Sequence, residues 1–134
     1  MKFLITLLIL FSATAETVCA QASKDSRGFD PAFTHVVYFW LNNPDNPGDR
    51  EHFETGLRTL FKDSKYTQTN FLGTPPKASR EVVDDSFTYA MIVTFESAEA
   101  QQAYQTEAAH LAFIEKTAHL LKRFQVYDAR GLNP

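Results

Sequence analysis

Two side chains within "AYQTEAAHLAF" (residues 103–113) are of types that handle protons and carbonyl oxygens: Tyr104 and His110. A histidine exchanges protons near neutral pH. A tyrosine hydroxyl can hydrogen-bond and polarise a carbonyl oxygen, as oxyanion donors do. Together they suit acid/base work on a carbonyl compound. The same residues also admit a purely structural role, with His110 a capping or core-edge histidine bonded to backbone and Tyr104 a packing aromatic with a wet tip. A third candidate, His35, sits in "FTHVVYFWL" (33–41) and alternates onto the same side as Val37 and Phe39. It reads either as a core histidine or as part of a pocket.

Spacing sets a condition on the pair. On an unbroken helix, residues six apart diverge by about 120°, so Tyr104 and His110 converge on one ligand only if the helix is interrupted. Two features argue for an interruption. Ala100, Tyr104, Glu107, Leu111, Ile114, Ala118 and Leu121 form one stripe, in which Glu107 is a misfit that is costly to bury without a partner. A straight helix over 98–122 would also measure about 37 Å, longer than the roughly 34 Å width of a globule of this size. A kink around 105–109 relieves both problems.

The elements that must position these residues are readable in order. Residues 33–41 are a strand with Phe33, His35, Val37, Phe39 and Leu41 on one face and Val36, Tyr38 and Trp40 on the other. Both faces are apolar, so both need cover. Pro47, Asp49 and Glu51 suit the first turn of a helix whose stripe is Phe53, Leu57, Leu60 and Phe61. "TQTNFLG" (67–73) is a weaker strand, and a charged loop over 74–86 follows it. In "FTYAMIVTFE" (87–96), Phe87, Tyr89, Met91, Val93 and Phe95 share a face. Ser97 caps a helical region running to about Leu121, and "RFQVYDA" (123–129) closes the chain. The order β-α-β-β-α-β is the ferredoxin-like, split βαβ arrangement: an α+β fold with helices on one face of a four-stranded antiparallel sheet. The second apolar face is left for another subunit.

The first twenty residues read as a secretory signal peptide: Lys2, the apolar run "FLITLLILF" (3–11), and small residues ending in "VCA", with cleavage expected after Ala20. The run falls short of the roughly 20 residues that span a bilayer. A secreted or periplasmic protein is expected, with no membrane attachment after cleavage, and with 21–32 as a flexible lead-in. Cleavage removes Lys2 and Glu16, so the net charge of −3 is unchanged, and it removes Cys19, the single cysteine. The mature chain then has no disulfide and no thiol nucleophile. Mild acidity with scattered basic residues argues against a nucleic-acid surface. No metal-ligand spacing, phosphate loop or serine-nucleophile motif is present, and no cofactor is expected. His52 and His119 lie among polar neighbours and are expected to face solvent.

Taken together, "THVVYFWL", "DDSFTYAMIVTFES", "YQTEAAHLAF" and "FQVYDA" resemble the stress-responsive A/B barrel (Dabb) family across about 33–130. The resemblance implies a homodimer whose sheets pack face to face into a dimeric α+β barrel. Some members are polyketide cyclases of the olivetolic acid cyclase type, in which a Tyr and a His spaced like Tyr104 and His110 act in an aldol-type ring closure. His35 matches a first-strand histidine of that pocket. Tyr89 stands where those cyclases have His, and Glu107-Ala108 where they read His-Pro. The expected site is therefore a pocket of His35, Val37, Tyr89, Met91, Tyr104 and His110, with Tyr104 and His110 as candidate catalytic residues. The expected function is binding of a small apolar or aromatic ligand, the alternative being a cofactor-independent enzyme on a carbonyl substrate, cyclase-like or monooxygenase-like.

Overall fold

A computed structural model describes residues 32–132. The expected signal peptide and, apart from Ala32, the lead-in lie outside the described residues. The elements are β1 (Phe33–Leu41), α1 (Pro47–Asp63), β2 (Thr67–Gly73), β3 (Tyr89–Phe95), α2 (Ala98–Thr106), α3 (Ala108–Thr117), a short 3₁₀ turn (Ala118–Leu120) and β4 (Leu121–Arg130). The sheet order is β2-β3-β1-β4, and every pairing is antiparallel. This is the ferredoxin-like α+β fold expected from the order of elements.

β1 takes the centre because it can be buried on both faces. Its burial alternates residue by residue, with Phe33, His35, Val37, Phe39 and Leu41 buried and the residues between them half-buried. The buried face meets α1, whose Phe53, Leu57 and Leu60 are fully enclosed. Phe53 is the hub: its ring lies 5.0 Å from Phe39, 5.4 Å from Tyr89 and 5.8 Å from Phe113. α1 starts where it does because the Asn46 side chain accepts from the Gly48 and Asp49 amides, with Pro47 pre-shaped for the first turn. α1 and α3 approach closely at Gly56, where an added Cβ would come within 2.8 Å of Thr117 Cγ2.

Three details refine the sequence reading, two of them by differing from it. β3 begins at Tyr89, because Thr88 makes irregular bonds to β1: its amide donates to the Phe39 carbonyl and its hydroxyl accepts from the Leu41 amide. That irregularity turns Phe87 to the opposite face, where it packs 4.8 Å from Tyr38 and 6.5 Å from Trp40. Second, the helical region is divided at Glu107, within the 105–109 span where a kink is expected, the backbone there leaving the helical region at φ −69°, ψ 153°. Third, a stripe extrapolated across that break names the wrong face. Leu111 and Ile114 are largely exposed and Leu121 belongs to β4, while Phe113 and Thr117 are the buried residues of α3.

The opposite face of the sheet carries Tyr38, Trp40, Phe87 and Ile92, with Phe71 and Tyr127 more than half exposed. The Arg123 guanidinium lies 3.4 Å above the Trp40 ring. No described helix is long and apolar enough to cross a membrane.

Because Leu57 is wholly enclosed between helix and sheet, Leu57→Ala should lower unfolding free energy by about 2–5 kcal/mol. A urea titration followed by circular dichroism measures this, and a loss under 1 kcal/mol would contradict the assigned core.

Candidate functional site

Between the buried sheet face and α2–α3 lies an apolar cavity of about 280 Å³, lined among others by His35, Val37, Met91, Tyr104, His110 and Phe113. Larger hollows occur on the opposite sheet face and at one end of the strands, but they are more open depressions. The cavity is the place where the candidate residues meet.

The helix break brings them together. α2 ends at Thr106 and delivers Tyr104, whereas α3 starts a new direction at Ala108 and delivers His110. Their rings come to 4.5 Å between centroids, and His35 reaches Tyr104 from β1 at 6.1 Å. Tyr104 is 1% exposed, and its hydroxyl meets no protein hydrogen-bond partner among the described residues. An unsatisfied buried hydroxyl costs about 1–3 kcal/mol. Burial, and secondarily the Glu107 carboxylate, holds the phenol above its ordinary value, so it stays protonated and is a donor.

His110 has one fixed end. Its Nδ1 lies 3.0 Å from the Gln105 carbonyl oxygen. A carbonyl only accepts, so Nδ1 carries the proton and, in the neutral ring, Nε2 holds the lone pair. That bond also caps the C-terminus of α2, whose last carbonyls lack helical partners. Burial pushes His110 below the ordinary histidine value. The Gln105 bond and Glu107 oppose that shift, while the nearby His35 adds to it. The ring is therefore neutral at pH 7 and a proton acceptor. It is a backbone-bonded capping histidine and a cavity wall at once, so the two sequence readings are not exclusive. Tyr104, by contrast, has no protein partner at its tip among the described residues.

His35 is fixed from the other side. Its Nδ1 stands 2.6 Å from Asp128 Oδ1, and the two residues are paired directly across β1 and β4. The carboxylate orients the ring, with Nδ1–H donating to it. The sequence reading missed Asp128; the one available signal was an Asp within the apolar alternation of "FQVYDA". Val37 and Met91 line the cavity as apolar wall. Tyr89 does not. It shares the sheet face, but its hydroxyl donates to Glu54 Oε1 at 2.6 Å and its ring stacks on Phe53 beneath Arg50, all on α1. Burial and that bond keep the Tyr89 phenol protonated. His52 and His119 are exposed and contact each other at 5.7 Å, away from the cavity. No group of potential metal ligands clusters among the described residues.

The sequence profile described as Stress responsive A/B Barrel Domain matches residues 33–130. The chain belongs to the Dabb family. A comparison with curated proteins found no match. Among solved structures, this Dabb domain is similar to a Dabb family protein with a ferredoxin-like fold from Mesorhizobium loti, at 15% identity and a TM-score of 0.63, covering 75% of this chain and 97% of that one. It is similar to a dimeric ferredoxin-like protein of Thermobifida fusca, at 18% identity and a TM-score of 0.59, covering 73% and 89%. It is also similar to a hydroxynitrile lyase from Passiflora edulis, at 16% identity and a TM-score of 0.66, covering 78% and 98%. These likenesses show the fold.

The His110 shift has a sign that can be measured. With a folded value below the unfolded one, the unfolded chain binds more protons between the two, so stability rises with pH across that window and acidification from pH 7 toward 5 weakens the fold. His110→Asn retains an N–H for the Gln105 carbonyl but cannot titrate. It should flatten that part of the stability–pH curve; an unchanged slope would show that His110 titrates normally.

Proposed function

We propose that this Dabb domain is an exported homodimeric binding protein whose cavity takes a small apolar or aromatic ligand bearing a carbonyl group. The observation that carries this is the buried, unpartnered hydroxyl of Tyr104, a residue that lines a mostly apolar cavity. A carbonyl oxygen is the group that satisfies a lone phenolic donor without bringing a second donor into the cavity. The apolar body of the ligand would lie against Val37, Met91 and Phe113. Tyr104→Phe keeps the ring and removes the donor. In thermal-shift titrations with benzaldehyde and acetophenone, the wild type should be stabilised, and Tyr104→Phe should bind about tenfold more weakly, the loss expected for one buried hydrogen bond. Equal affinities would remove the carbonyl from the proposal.

A second reading, cofactor-independent acid/base catalysis, is favoured by a specific arrangement: two imidazoles, each held through Nδ1, flank one phenol. Nε2 of His110 would take a proton from carbon next to the carbonyl while Tyr104 donates to the oxygen on which negative charge grows. The same fold carries a hydroxynitrile lyase in Passiflora edulis. Deuterium exchange of the acetophenone methyl group, followed by NMR, distinguishes the readings. Exchange that is lost in His110→Asn means catalysis, whereas binding without exchange means a carrier.

The homodimer reading rests on the apolar open sheet face and on the dimeric protein of similar fold. Two such faces would cover one another. Val36 is paired between Ile92 and Tyr127 at the middle of that face, so Val36→Glu should convert a dimer in light scattering into a monomer. A wild-type monomer at micromolar concentration would contradict the assembly. Export rests on the signal-like first twenty residues, and sequencing of the mature N-terminus should begin at Gln21.

A further inference from the structure

Glu107, Ala108 and Ala109 include the strongest helix formers in the repertoire, yet the helix stops among them. No glycine or proline is present to explain the break. Something outside the segment must hold it. The Glu107 carboxylate reaches the turn between α1 and β2, where Oε1 accepts from the Ser64 hydroxyl at 2.5 Å and Oε2 from the Lys65 amide at 3.1 Å. Ser64 is itself a junction: its Oγ accepts from the Tyr66 and Thr67 amides at the start of β2. The misfit carboxylate of the helix stripe is thus a strut with two anchored ends.

We infer that Glu107 is a positioning residue, a side-chain strut that holds open the helix break on which the Tyr104–His110 geometry depends. It acts through the backbone and through His110. A continuous helix would return the Gln105 carbonyl to the Ala109 amide and release the His110 ring from its cap. The two residues would then part by about 120° around the axis. The backbone at Glu107, φ −69° and ψ 153°, is the conformation imposed on a residue that precedes proline. Ala108, exposed at the first position of α3, is where proline is tolerated in a helix. The same bend is therefore obtainable by a covalent route, which supplies the test. The inference rests on the cavity being a ligand site for its binding arm only; its titration arm is independent of any ligand.

Three variants are compared: Glu107→Ala, Ser64→Ala, and the double variant Glu107→Ala with Ala108→Pro. The His110 ring is titrated by NMR, and benzaldehyde binding is followed by thermal shift. The charged and polar groups facing His110 include His35, Tyr104, Glu107 and the Gln105 carbonyl. Removing the Glu107 charge alone would lower the His110 pKa further, whereas loss of the bend exposes the ring and raises it toward the ordinary value. The expected result for Glu107→Ala is a rise, with about tenfold weaker probe binding. Ser64→Ala should move His110 the same way while the Glu107 charge remains. The proline variant should restore both readouts. A fall in melting temperature with His110 still titrating low would overturn the inference, as would failure of proline to rescue. Should Glu107→Ala not fold, Ser64→Ala decides, and an unmoved His110 in that variant overturns it. A wild type that binds no probe refutes the ligand reading while the His110 titration still decides the strut.

Discussion

The site depends on one backbone torsion. At Glu107 the chain adopts an extended ψ within a run of residues that favour helix, and the meeting of Tyr104 with His110 descends from that departure. The break frees the Gln105 carbonyl, which the His110 ring then caps. It redirects α3 so that Phe113 and Thr117, and not Leu111 and Ile114, meet the core. It also shortens what would be an over-long helix to two segments that fit across the sheet. Local preference and global packing conflict here, and such conflicts survive only where tertiary contacts outweigh them.

Around that break, polarity is distributed unequally. Asp128 and Gln105 each occupy one nitrogen of an imidazole, while the hydroxyl of Tyr104, whose ring contacts both, has no protein partner among the described residues. A core built only for stability would place Phe at 104, since the oxygen adds a desolvation cost of about 1–3 kcal/mol and returns no bond within the protein. The orientations of the imidazoles are set by a strand register and a helix end, so these polar atoms are arranged without any guest.

The fold was legible because its signals are local. Strict alternation fixed β1, the bounds of β2 followed from its turn residues, and Pro47 with the Phe53–Leu57–Leu60 stripe located α1. Where a boundary was missed, the cause lay elsewhere in the chain: Thr88 bonds to β1 and rotates Phe87 to the other face. The site was half legible. His35, Tyr104 and His110 were recognisable by type and spacing, and the need for a bend followed from geometry. Asp128 was invisible because its value comes from lying opposite His35, a register that a lone strand does not encode. Tyr89 was misplaced for a related reason, since alternation gives the face but not which helix a long side chain will reach. Glu107 looked like an error in a stripe because its partners lie more than forty positions away.

The capping bond of His110 bears on stereochemistry. With Nδ1 held by a carbonyl that cannot donate, the ring cannot flip without losing its bond, so its lone pair stays on one side of the cavity. The Tyr104 oxygen and the Asp128-oriented His35 supply two further points, fixed from different elements and chemically unequal. Three unequal polar groups, fixed from different elements, form an arrangement without mirror symmetry. A planar guest that engaged all three, as the proposed ligand site would require, would meet them with one face only.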